Sequence, residues 1–215
     1  MKVAVLSFPG TLAANQVLKL IETVGYQGEI IPSTQDELDG FDAVIIPDGN
    51  AYGNAVRPGA IAQFDAVLPA LKVFNKEGKI IIGIGNGFHI LTEANLLPGN
   101  LTLNESLKQV NQEVAIALNE TIFSSERVSL SFANKYGRYV INPDKLKQLI
   151  DQNQILMTYI KNINGSVENI AGVMNEQKNV FGMMVLPERH IDEAISTTAG
   201  IELIVELLKR SEASE

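Results

Sequence analysis

Five residues, Gly83-Ile84-Gly85-Asn86-Gly87, sit where the apolar run Lys79 to Ile84 gives way to a helical pattern carrying Phe88, Ile90 and Leu91. A strand that turns through glycines into a helix has the layout of a nucleophile elbow, in which one side chain is held in a strained turn above a sheet. It is equally the layout of a glycine-rich turn with no chemistry, and spacing alone does not separate the two. A phosphate cradle fits less well, because no Lys or Ser/Thr follows the glycines as a P-loop requires. The residue types available narrow the chemistry. The chain has no cysteine and two histidines, His89 and His190, which excludes disulfides, thiolate metal sites and cysteine nucleophiles. Two imidazoles also exclude a His-rich metal site, and no metal or cofactor is expected.

An elbow needs a sheet beneath it. Lys2 to Phe8 is a short apolar, β-branched run that ends at Pro9-Gly10, and Ala14 to Val24 then places Val17, Leu18, Ile21 and Val24 at helical spacing. Glu29 to Ile31 reads as a second strand, Asp42 to Ile46 as a third ending at Pro47-Asp48-Gly49, and Ala60 to Phe74 as a long helix. Continuous apolar strands separated by helices predict parallel pairing with both sheet faces covered. In such sheets the ligand crevice lies outside the carboxyl ends of the strands. The turns at Pro9-Gly10, Pro47 to Gly53 and Gly85 to Gly87 are therefore expected to meet on one rim.

The second half has a different rhythm. Gln112 to Leu118, Val128 to Ala133 and Arg138 to Ile141 read as strands with no long helices between them, which predicts an antiparallel addition. Lys145 to Ile150 reads as a short helix. Ile155 to Ile160, Ile170 to Asn175 and Val180 to Val185 return to strand patterns, with a helix around Ile201 to Leu208 and a polar, frayed tail at Ser211 to Glu215. The expected class is α/β, with three layers, a mostly parallel central sheet and helices on both faces. At 215 residues one domain over residues 1–210 is expected.

Composition limits the partners. A net charge of -8 disfavours binding to a phosphate backbone, which needs clustered Lys and Arg, so no nucleic acid is expected. No apolar run reaches the ~18 to 20 residues that span a bilayer, and the first residues read as a strand rather than a signal sequence. A cytoplasmic location without membrane contact follows as the expectation.

More specific segments resemble a known family over almost the whole chain. They are Ser7-Phe8-Pro9-Gly10, Ala51-Tyr52-Gly53 through Arg57, Gly59-Ala60-Ile61-Ala62, and the elbow through Phe88-His89-Ile90-Leu91. The most specific run is Asn162-Ile163-Asn164-Gly165-Ser166, followed by Ile170-Ala171-Gly172-Val173, Gly182-Met183-Met184 and Pro187-Glu188-Arg189. Together they resemble the glutaminase subunits of phosphoribosylformylglycinamidine synthase, class I glutamine amidotransferases of purine biosynthesis. The resemblance is weakest between Pro98 and Leu156. It implies a flavodoxin-like α/β fold and a larger synthetase subunit as partner.

The resemblance also implies a triad, and this chain departs from it. Family members carry a cysteine at the elbow and a histidine two residues before a glutamate that orients the imidazole. The corresponding residues here are Gly85, Leu186 and Glu188. A family Pro-Gly-Gly turn that helps to form the oxyanion hole is Pro47-Asp48-Gly49, which brings a carboxylate toward a site meant to stabilise negative charge. A family Ala-His-Gly-Glu-Gly run is Ala133-Asn134-Lys135-Tyr136-Gly137. Asp48 reads either as an intruder in that site or as a solvated turn residue. Asn86, Ser7 and Thr11 are poor replacement nucleophiles. His190 is expected to face solvent, and His89 to pack on the elbow helix.

Three functional readings follow. The first is a catalytically degenerate subunit that binds a synthetase through the retained segments, with Tyr52, Arg57, Asn162 and Asn164 as candidate interface residues. The alternative for those segments is that they only build the fold. The second is an ordinary glutaminase subunit supplying ammonia. The third is a small-molecule sensor using a vestigial pocket of Asp48, Gly49, Asn50 and Asn86. Relaxation of the elbow predicts a small, apolar pocket with Leu186 turned toward Gly85.

Overall fold

Strands without polar alternation need cover on both faces, and the computed structural model, which describes residues 1–194 and 196–210, provides it. In chain order the elements are β1 (Lys2–Ser7), α1 (Ala14–Thr23), β2 (Gln27–Pro32), β3 (Ala43–Ile46), α2 (Val67–Lys76), β4 (Ile80–Ile84), α3 (Asn86–Glu93) and β5 (Asn100–Thr102). They continue with β6 (Val110–Leu118), β7 (Arg127–Asn134), β8 (Arg138–Val140), α4 (Pro143–Asp151), β9 (Ile155–Tyr159), β10 (Ile170–Met174), β11 (Val180–Met183) and α5 (Ala199–Lys209). Every residue of β3, β4, β10 and β11 is buried. The tail at 211–215 lies outside the described residues.

Among the described residues the main sheet runs β2-β1-β3-β4-β11-β10-β9-β6-β7. Its first five strands are mutually parallel, and from β10 onward each neighbour is antiparallel. The expected α/β class with a parallel body and an antiparallel addition is thus the observed one. Amphipathic α1 turns Ala14, Val17, Leu20 and Ile21 inward. Buried side chains from β1, β3, β4, β9, β10, β11 and the helices form one continuous core. No helix among the described residues is long and apolar enough to cross a membrane.

Two elements differ from the sequence expectation. The long helix over Ala60 to Phe74 is two pieces, a short 3₁₀ turn at Ala62–Phe64 and then α2, divided at Asp65, whose backbone is extended (φ -65°, ψ 156°). Pro69 accounts for the break: it has no N–H to donate four residues back to Asp65, and its ring would collide with that carbonyl, so it is accommodated only in the first turn of α2. The expected third strand of the addition, β8, leaves the main sheet and pairs antiparallel with β5. At three residues, β5 is too short for period-2 alternation to reveal.

The three turns do meet. Asn50 N–H donates to the Gly10 carbonyl (2.9 Å) and Tyr52 N–H to that of Pro9 (2.7 Å), joining the first turn to the third strand's turn. Leu12 and Ala13 both donate to the Asp48 carbonyl at 3.1 Å. The elbow joins them through Asn86, whose side-chain oxygen accepts the Ala51 N–H at 3.0 Å. This rim is the floor of the candidate site.

Candidate active site at the elbow

Gly85 connects β4 to α3 with φ 53° and ψ -108°, in the half of backbone space that L side chains rarely adopt. Its N–H donates to the Met183 carbonyl of β11 at 2.8 Å, so the turn is tied to the neighbouring strand. Holding a side chain there would cost ~1–3 kcal/mol, which glycine avoids. Gly87 has a separate reason to be glycine. A Cβ on it would stand 2.1 Å from the Ile46 carbonyl oxygen, so α3 can approach β3 only with no side chain at that position. Both glycines thus answer packing and backbone demands, and neither opens toward a phosphate.

The space above Gly85 is taken by Asp48. A Cβ on Gly85 would meet Asp48 Oδ1 at 2.2 Å, Cγ at 2.6 Å and Cβ at 3.0 Å, the three nearest atoms. Filling of the elbow therefore falls to the carboxyl of Asp48, where the sequence had suggested Leu186. Oδ1 also accepts the backbone N–H of Asn86 at 2.9 Å. That donor, the N–H of the residue after the elbow position, is the one an elbow hydrolase aims at a developing oxyanion. Asp48 is thus partly buried rather than solvated. Burial raises its pKa, while the N–H groups of Asn86 and Gly49 and the charge of Arg189 act the other way. Asn86 is buried, and its side-chain amide donates to Asn54 Oδ1 at 3.0 Å. Asn54 in turn donates to Asn50 Oδ1 at 2.7 Å. Asp48, Gly49, Asn50 and Asn86 thus lie on one rim, with the side chains of Asp48, Asn50 and Asn86 engaged by one another or by Ala51 and Asn54.

Across the rim, Leu186 is buried and its N–H donates to the Ser131 carbonyl at 2.9 Å. Pro187–Arg189 forms a 3₁₀ turn that buries Glu188. Glu188 Oε2 has no hydrogen-bond partner among the described residues. Burial first, and the charge of Asp48 second, push its pKa up to about 8. At neutral pH this carboxyl is protonated, and an acid rather than a carboxylate faces the site. The expectation of an apolar pocket is overturned by these two carboxyls.

Neither histidine joins them. His190 is 1% exposed rather than solvent-facing. Its Nε2 accepts the Ser131 N–H at 2.8 Å, and its Nδ1 lies 2.8 Å from Ser196 Oγ. Burial lowers its pKa. His89 is buried on α3 as expected, its pKa driven down to about 3 by burial, and its Nε2 is unpartnered among the described residues.

Residues 1–200 match the family model of the CobB/CobQ-like glutamine amidotransferase domain. The chain belongs to this amidotransferase family. A chain of the PurLQS structure from Thermotoga maritima superposes with a TM-score of 0.88 at 33% identity, covering 97% of this chain and 98% of that one. A glutamine amidotransferase from the same organism, at 11% identity, shares the fold alone, with a TM-score of 0.64 over 98% of this chain and 97% of that one.

Outside the elbow, the Asn162-to-Ser166 segment serves as architecture. Asn164 is 2% exposed; its amide donates to the Gly137 carbonyl at 2.7 Å, and its oxygen accepts the Ser166 N–H and hydroxyl at 3.1 and 2.8 Å. Asn162 Oδ1 accepts the N–H groups of Asn164 and Gly165 at 3.2 and 2.8 Å, while its amide donates to the Ser166 carbonyl. Tyr52 donates to Asp65 Oδ1 at 2.6 Å. Arg57 grips Glu93 through two bonds of 2.6 and 2.7 Å, though its own side chain stays 55% exposed. On the same loops Leu12, Val56 and Phe64 are 68%, 87% and 82% exposed. Sequence reasoning missed these three, since hydropathy cannot tell an exposed loop apolar residue from a core one.

Proposed function

We propose that this amidotransferase is a catalytically degenerate subunit, a structural or regulatory partner of a phosphoribosylformylglycinamidine synthase-type synthetase. The observation that carries the reading is the Asp48 carboxyl lodged over Gly85 and bonded to the Asn86 N–H. Glutamine hydrolysis at an elbow requires a nucleophile, a base and donors for the oxyanion. Gly85 offers no attacking atom and Leu186 no proton carrier. The oxyanion donor already holds a carboxyl oxygen, which would meet a developing negative charge with like charge or a competing lone pair. The orphaned Oε2 of Glu188 fits a carboxyl group whose imidazole partner is absent. In subtilisin, an unrelated hydrolase, loss of the nucleophile alone costs about 10⁶ in turnover, equivalent to roughly 8 kcal/mol of barrier.

The partner reading draws support from the 33% identity to a chain of PurLQS, and from the exposed Leu12, Val56 and Phe64 on the loops around the elbow. Large apolar side chains this exposed suit a protein interface better than water. Glutamate release from glutamine, assayed alone and with the cognate synthetase, should stay at background in both cases, while gel filtration of the mixture gives a complex. Absence of a complex would remove the partner reading, and turnover at enzymatic rates would remove the degenerate one. The family match over residues 1–200 favours a second reading, an active glutaminase subunit, and the same assay decides between them. Restored turnover in the combined Gly85→Cys, Leu186→His and Asp48→Gly variant would be consistent with descent from an active enzyme.

A further inference from the structure

A cavity of about 800 Å³ lies far from the elbow, bounded by the loop after α3, one face of α4 and the turn between β10 and β11. The β10–β11 turn precedes β11, which runs parallel to β4, so the cavity opens at the amino ends of the parallel strands while the elbow stands at their carboxyl ends. Its size falls within the ~300–1,000 Å³ typical of small-molecule sites. Nothing in the elbow's chemistry uses it.

Its lining has one dominant chemistry, the carboxamide. Asn142, Lys145, Gln148 and Gln152 recur every three or four residues along one side of α4, the first and last as its capping residues. Asn95 and Asn100 come from the loop after α3 and Asn175 and Gln177 from the turn. Part of this set is fixed. Asn175 donates to Asn75, Gln177 and Asn179 at 3.1, 3.0 and 2.8 Å. The side chains of Asn95, Asn100, Gln148 and Gln152 make no hydrogen bond among the described residues and are free to turn to a ligand.

Gln154 supplies the independent observation. It is 7% exposed, lines the cavity, and donates its amide to the Met174 carbonyl at 3.0 Å. Its side-chain oxygen has no partner among the described residues. Anchored by the Met174 bond, Gln154 holds its oxygen open at the cavity wall, an acceptor fixed in position for a ligand's donor.

We infer that this cavity binds a neutral, hydroxyl-rich small molecule of the sugar class. The single Lys145 and single Glu176 in the lining cancel in formal charge, so neither an anion nor a cation is selected. The wall contains no aromatic side chain on which a flat base would stack. Each carboxamide offers both a donor and an acceptor, the pattern that adjacent hydroxyls return. The site is independent of the amidotransferase reading and holds whether or not the elbow turns over glutamine.

Titration of ¹⁵N-labelled protein with D-ribose, D-glucose and maltose, followed through side-chain amide resonances, tests it. At least one sugar should shift the Gln154 and Gln148 amides saturably, with Kd on the order of 1 mM, while inorganic phosphate and free glutamine do not. Gln148→Ala combined with Gln152→Ala, both exposed, one on α4 and the other at its carboxyl end, should weaken that binding at least fivefold with unfolding unchanged. Gln154→Leu should abolish it. No saturable shift with any of the three sugars, tighter binding of phosphate, or unchanged affinity in the α4 double variant would each overturn the assignment.

Discussion

The elbow and the Asn162-to-Ser166 loop treat polar groups in opposite ways. In the loop, Asn162 and Asn164 spend their amides and oxygens on neighbouring backbone, and the side chains hold the segment in shape. At the elbow, Glu188 is buried with an unfilled oxygen and Asp48 is wedged against a glycine that tolerates no side chain beneath it. The loop satisfies its buried polar groups locally, whereas the elbow leaves one of them, Glu188 Oε2, unsatisfied.

The sharpest break in this contrast is expected from Gly85→Ala. The added methyl meets both a positive φ and the Asp48 carboxyl, so unfolding in denaturant should show a loss of about 3 kcal/mol. In an Asp48→Gly background the same change should cost only about 1 kcal/mol, and a coupling near zero would mean that Asp48 does not fill the elbow. Next comes Asn164→Ala, which strands the Gly137 carbonyl and the Ser166 N–H and should cost about 2–3 kcal/mol by the same measurement. A cost below about 0.5 kcal/mol would deny the loop its architectural role.

Glu188→Gln sharpens the comparison through pH. The carboxyl titrates at 4.5 unfolded and about 8 folded, so the folded state holds the extra proton between those values and stability falls as pH rises through that window. The amide variant should gain on the order of 4 kcal/mol at pH 8 relative to pH 4, with the gradient largely lost. His89 acts in the opposite sense. Its folded pKa of about 3 lies below the unfolded 6.5, so its stabilisation is complete above 6.5 and is lost as pH falls toward 3. From these two groups, stability should be nearly level from about pH 4.5 to 6.5 and decline on both sides in a thermal-unfolding series. The smallest effect belongs to Arg57→Ala. Its exposed pair with Glu93 should be worth less than about 1 kcal/mol, so a tenfold loss of synthetase binding without a matching loss of stability would place it at the interface.

Much of the scaffold was legible because its signals are local. Buried strands announce themselves as unbroken apolar runs, and Pro9-Gly10, Pro47 to Gly53 and Gly85 to Gly87 mark where they end, which sufficed to bring the rim together. Pro69 was legible in principle as the reason for the break at Asp65, but an apolar helical period masked it. What the sequence could not say was which of two residues would occupy the space above Gly85. Leu186 had the volume, whereas Asp48 had a backbone N–H waiting within 2.9 Å, and only the path of the chain decides that. His190 was hidden for a similar reason, since its partners Ser131 and Ser196 are distant or unremarkable in sequence.

The side chain of His190 also has a consequence for how the molecule behaves in a crowd. Strand β7 ends the sheet, and an uncovered last strand invites another chain to add itself by backbone pairing. At Ser131, midway along β7, the outward N–H is held by the imidazole and the outward carbonyl by Leu186. The β7 ladder is interrupted at its centre by a ring and a single amide, and a stranger seeking to extend the sheet there finds the middle pair of docking groups already taken.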